Sequence, residues 1–144
     1  MRSYPDSVQA VSRKHEIVGW DGLSEADRLV YCLWSFENEI DNGGFQQFFT
    51  SPSVERTDEI LEALRQIGAL KTRALAERAI QVVFGKEGVP PGPEERRAAL
   101  EPPTAEERKQ LTKVLYELDR KFFLHEDDIA ALVNRWLKRH RTGR

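Results

Sequence analysis

Glu37 and Asp41 stand four residues apart, a spacing that sets two carboxylates on one helix face, as a metal site or an acid/base pair requires. No histidine accompanies them. His15, His125 and His140 fall in separate stretches, and the two-histidine helical pattern of zinc enzymes is absent, so both acids read as solvated surface groups. Cys32, the single cysteine, sits beside Leu33 and Trp34 on an apolar stripe, where a free thiol behaves as a small hydrophobe. A nucleophilic thiolate would want an electropositive, partly exposed setting. Gly43-Gly44 follows a helical pattern and has neither the lysine nor the spacing of a phosphate-binding loop. His125, ahead of Glu126, Asp127 and Asp128, reads as part of a helix start. These residues predict a protein that is not an enzyme, with no catalytic residue, no metal and no cofactor.

Charge offers a different kind of chemistry. The chain of 144 residues carries a net charge of only -2, yet between Glu16 and Glu62 eleven acids face two bases, a local net of -9. The balance returns at the far end, where Arg135, Lys138, Arg139, Arg141 and Arg144 crowd the last turns. Such polarity biases encounters with charged partners. Carboxylates at i, i+3 and i+4 lie about 5 to 6 Å apart at Cβ, a spacing comparable with that of phosphates along a DNA strand. The basic end can touch phosphates, but Trp136 belongs to an apolar stripe there, which disfavours direct nucleic-acid binding.

The elements that must position these groups are helices. No strand alternation, internal repeat or apolar run long enough for a membrane span occurs, and the size suits one core. Residues 1–22 read as a loosely ordered lead-in, 23–140 as a single helical domain and 141–144 as a basic tail. Ser24 with Asp27 marks an N-cap, after which Leu29, Cys32, Leu33, Phe36 and Ile40 recur at helical spacing. Gly43 and Gly44 should stop that helix near Asn42, and Phe45, Phe48 and Phe49 suit a short helix folding back onto it, with the Gln47 amide bridging backbone groups freed at the corner.

Ser53 or Thr57 is the expected cap of the next helix, which Gly68 ends, and a partner helix to Gly85 completes a hairpin. Lys86 to Pro93 reads as the most flexible stretch. Pro93 restarts a short helix, Thr104 and Glu107 form a capping box, and Asp127 or Asp128 begins the last helix. The prediction is an all-α, single-domain bundle of about six to seven helices. With one cysteine and no apolar leader, its expected location is cytoplasmic.

Leu33-Trp34 leading into Glu37, then Asn42-Gly43-Gly44-Phe45-x-Gln47-Phe48-Phe49, resembles the signature of the bacterial DNA-mimic-protein family. The resemblance continues through Leu61-x-x-Leu64-x-x-Ile67-Gly68-Ala69 and Leu118-Asp119-x-x-Phe122, covering roughly residues 22 to 140. It implies an all-helical fold and a homodimer whose acidic surface imitates DNA and occupies a DNA-binding protein such as a transcriptional regulator. Asn42, Gly43, Gly44, Phe45, Gln47, Phe48 and Phe49 carry over as fold-defining positions. The acids expected to meet a basic or DNA-binding partner are Glu37, Glu39, Asp41, Glu55, Asp58, Glu59 and Glu62. Two other readings stand beside this one: a small-molecule site or enzyme pocket at the glycine corner, lined by Glu37, Asn42 and Gln47, and nucleic-acid binding through the basic end.

Overall fold

The computed structural model describes residues 7–142, and these form seven α-helices joined by turns and three short 3-10 helices. They are α1 (Ser7–Val18), α2 (Glu25–Thr50), α3 (Thr57–Ile67), α4 (Leu70–Phe84), α5 (Pro93–Leu100), α6 (Ala105–Phe123) and α7 (Ile129–Thr142). The all-α, single-domain prediction holds, and no helix among the described residues is long and apolar enough to cross a membrane. Residues 1–6 and 143–144 of the expected lead-in and tail lie outside the described residues. The described part of the lead-in is helical, with Val8 and Val11 buried, and ends at Gly19, whose φ of 73° suits glycine. Arg141 and Thr142 complete α7 rather than a separate tail.

The helix α2 is the hub, packing against α1, α3, α5, α6 and α7. Its start follows the sequence: the Asp27 amide donates to Ser24 Oγ at 3.1 Å. Leu33, Phe36 and Ile40 are fully buried. At Gly43-Gly44 the helix breaks and reverses, Gly44 taking φ 73° and ψ -169°. The rings of Phe36 and Phe48 then meet edge to face at 5.1 Å. In a straight helix twelve residues would set them about 18 Å apart. Phe122 of α6 closes the cluster from the other side, 5.9 Å from Phe36 and 6.0 Å from Phe45.

The α3–α4 hairpin turns at Gly68, in the left-handed region, with the Ala69 amide donating to the Leu64 carbonyl at 2.9 Å. Neither Ser53 nor Thr57 caps α3. A 3-10 helix, Pro52–Arg56, runs straight into it, and the Thr57 hydroxyl donates backwards to the Val54 carbonyl. The first-turn acids Asp58 and Glu59 lie at the positive end of the α3 dipole. Thr104 caps α6 as expected, accepting from the Glu107 amide at 3.1 Å, and Asp128 starts α7, its Oδ1 accepting from the Ala131 amide at 3.1 Å.

Candidate functional site

At the glycine corner the polar groups are structural. Reversal of α2 frees the Phe45 amide from helical bonding, and Asp119 Oδ1 of α6 accepts it at 2.9 Å. The carboxylate fills the space beside Gly44, where a Cβ would meet Asp119 Oδ2 at 2.2 Å. Burial pushes the Asp119 carboxyl above its usual range, against the opposing pull of the Phe45 hydrogen bond. Gln47 does not bridge freed backbone. It is exposed and donates to Glu39 Oε2 at 3.0 Å, leaving the backbone task to Asp119.

Glu37 overturns its own expectation. It is 2% exposed, facing inward with its Oε2 3.9 Å from His125 Nδ1. It therefore belongs to no acidic surface, and the reason lies in the stripe: Val30, Leu33 and Glu37 repeat at three and four residues and share one buried face. His125, in the α6–α7 turn, has φ 50° and packs edge-on against Phe122. The same turn is tied down twice more, by Asp127 Oδ2 accepting from the Thr72 amide at 2.7 Å and by Glu126 with Lys71 at 3.6 Å. The corner is thus a packed joint among α2, α4, α6 and the α6–α7 turn. Gly44, Phe45, Phe48 and Phe49 are buried in it, while Asn42 and Gly43 lie on its exposed rim. Glu37 points inward while Asn42 and Gln47 are exposed, and the side chain of Asp119 fills the space beside Gly44.

The remaining acids divide into two groups. Glu39 is half-buried and Asp41 exposed, both close to the corner. Glu55, Asp58, Glu59 and Glu62 are exposed together along the 3-10 helix and α3. Glu59 and Glu62 share a cleft of about 260 Å³ with Arg28, Leu29 and Cys32, which lie about two to four turns of α2 before Glu39 and Asp41. The structure does not bring Glu39 and Asp41 onto the α3 face. Within that face, Glu62 meets Arg65 at 2.6 Å and Glu59 meets Arg56 at 3.9 Å. Hydrogen bonds from Arg65 and Gln66 lower the Glu62 carboxyl to about 2, so it stays ionised well into acid. These exposed pairs contribute little to stability and open readily to a competing cation.

Cys32 is buried, and burial raises its thiol to about 12, which leaves it inert. At the basic end Trp136 is buried and stacks on His140 at 4.0 Å, so it is a core residue rather than a base-stacking platform. Asp119, Asp127 and Arg96 matter more than the sequence reading allowed. Asp119 was visible in the Leu118-Asp119-x-x-Phe122 pattern and falls one turn after buried Leu115 and before Phe122, flanking the apolar face.

The fold and this surface define a single-domain, all-helical protein whose polar corner is structural and in which Glu55, Asp58, Glu59 and Glu62 are exposed along the 3-10 helix Pro52–Arg56 and α3. The chain belongs to the DMP19-like protein family, whose pattern matches residues 21–140. Neither a search of curated proteins nor one of solved structures finds a match.

Proposed function

We propose that the chain is a non-enzymatic interaction protein that presents the exposed carboxylates of Glu55, Asp58, Glu59 and Glu62 to a basic partner, a DNA-binding protein such as a transcriptional regulator, in the manner of a DNA mimic. The observation that carries this reading is the exposure of these four acids within eight residues, on the 3-10 helix Pro52–Arg56 and the α3 that follows it directly. Asp58 and Glu62, like Glu59 and Glu62, are spaced as neighbours on the α3 surface, about 5 to 6 Å apart at Cβ. Membership in the DMP19-like family is consistent with a DNA-mimic role. Like-signed carboxylates arranged in this way raise the encounter rate with a positive surface and lose that advantage as salt screens them.

Glu39 and Asp41 extend the acidic field toward the corner without sharing the α3 face. Glu37 has no part in it. The test is affinity capture from a nuclease-treated bacterial lysate, with mass-spectrometric identification, using the unaltered chain and a Glu55→Gln/Asp58→Asn/Glu59→Gln/Glu62→Gln variant. A basic DNA-binding protein that is held by the first, eluted by salt and lost by the second is the expected result. Equal capture by both would remove the reading.

A further inference from the structure

A cleft of about 500 Å³ opens between the 3-10 helix, α3, α4 and the segment that follows α4. Leu61, Ile80 and Val89 contribute apolar wall, and Glu55, Asp58 and Glu87 contribute carboxylates. The one cation in the lining is Arg96, and it is already committed: it is buried, and its Nη1 donates to the carbonyls of Pro90 and Pro91 at 2.9 Å each. Its role is to hold the outer wall in place. The stretch from Lys86 to Pro93, which the sequence marks as the most flexible, is pinned here by that guanidinium.

Among the described residues, no cation comes within ion-pair distance of Glu55, Asp58 or Glu87, whereas Glu59 and Glu62 each have an arginine. A purely duplex-like array of charges would need no apolar wall. This combination of an apolar wall and carboxylates without a cation matches a group with an aliphatic stem and a positive end. A neutral apolar occupant would leave the acids uncompensated, and an anion would be repelled.

We propose that this cleft receives one lysine or arginine side chain of the basic partner, its stem along Leu61, Ile80 and Val89 and its cation among Glu55, Asp58 and Glu87. The inference rests on the reading of the chain as a protein that captures a basic partner, and it adds an anchoring pocket to what would otherwise be a field of charge. Low-dielectric walls around like-signed carboxylates focus their field on the cleft.

The experiment has two arms. In the first, the full chain is titrated with n-hexylammonium and, separately, with hexanol, and amide-resolved NMR reads binding. Hexylammonium should shift the amides of Leu61, Ile80 and Val89 and bind about tenfold more tightly than hexanol, and Asp58→Asn/Glu87→Gln should bring the two within about twofold. Both acids are exposed, and an unchanged melting temperature verifies that the variant is folded. Equal affinities in the unaltered chain, shifts centred on Glu59 and Glu62, or cleft shifts that depend on protein concentration alone, which would place a second copy there, each overturn the assignment. In the second arm, Asp58→Asn/Glu87→Gln is used in the lysate capture. Loss of the protein captured by the unaltered chain supports the pocket. Undiminished capture overturns the pocket while leaving the proposed function standing, and no capture by the unaltered chain overturns both.

Discussion

At the Gly43-Gly44 corner the polar groups turn inward, with Asp119 holding the Phe45 amide and Glu37 facing His125. Along the 3-10 helix and α3, a few residues further on, Glu55, Asp58, Glu59 and Glu62 turn outward, their apolar neighbours Ile60, Ala63 and Leu64 occupying the core instead. Both regions are rich in acids. The difference teaches that a carboxylate's role here is set by its phase relative to the apolar stripe and not by its type. Glu37 falls in phase with Val30 and Leu33, whereas Glu59 and Glu62 lie out of phase with Ile60, Leu64 and Ile67.

The sharpest way to break this contrast is at the joint itself. Gly44→Ala forces a side chain onto a positive φ and into the Asp119 carboxylate, and should cost about 3 kcal/mol or more. Gly68→Ala, at φ 81° with open space around it, carries only the backbone penalty of about 1 kcal/mol. Urea midpoints of the two variants check the ranking, and equal losses would mean that the corner is not the packed joint described.

Glu37→Ala should lower stability by about 3 kcal/mol, because it removes a fully packed side chain facing His125 and opens a cavity, while Glu59→Gln should stay within about 0.5 kcal/mol. The two substitutions should have opposite effects in a capture assay on folded protein, with Glu37 indifferent and Glu59 sensitive. A destabilised Glu59 variant or a stable Glu37 variant would reverse the division between joint and face.

Asp119 separates hydrogen bonding from charge. Asp119→Ala orphans the buried Phe45 amide and should cost about 1 to 3 kcal/mol, whereas Asp119→Asn keeps an acceptor and should cost less. Because burial raises the folded carboxyl above its unfolded value, the native state binds this proton more tightly. The stabilisation due to that proton is full below the unfolded value and is lost as pH rises through the folded one. The stability of the unaltered chain relative to Asp119→Asn should therefore fall as pH rises across that window, which paired denaturation curves at several pH values will read.

Much of the fold was legible because local signals agreed with the global packing: the Ser24 and Thr104 caps, the Gly68 and Gly85 stops and the stripes of α2, α6 and α7 each have one physical meaning. The reversal at Gly43-Gly44 was legible for the same reason. The corner's chemistry was not, because Asp119 lies 74 residues from its partner Phe45, and nothing local distinguishes it from a solvated acid. Glu37 was misplaced because its charge was given more weight than its phase. Missing the caps of α3 has another cause: Ser53 and Thr57 had the right chemistry, but the 3-10 helix before α3 leaves no break at which to cap it.

The gentlest probe of the contrast acts on the face alone. Arg65 stands beside Glu62 with both side chains about half exposed, and its pairing holds Glu62 ionised without tying the face to the core. Arg65→Gln removes the cation, raises the negative charge of α3 and leaves the buried joint untouched. If the face captures its partner electrostatically, this variant should associate faster at low salt, by about twofold to threefold, with the gain disappearing once screening shortens the reach of the field. Dissociation should change little, since exposed charges act mainly on encounter. Stopped-flow association with the captured partner at several ionic strengths measures both rates. A slower association, or a gain that persists at high salt, would show that Arg65 contacts the partner directly, and the recognition surface would then have to include the cation as well as the carboxylates.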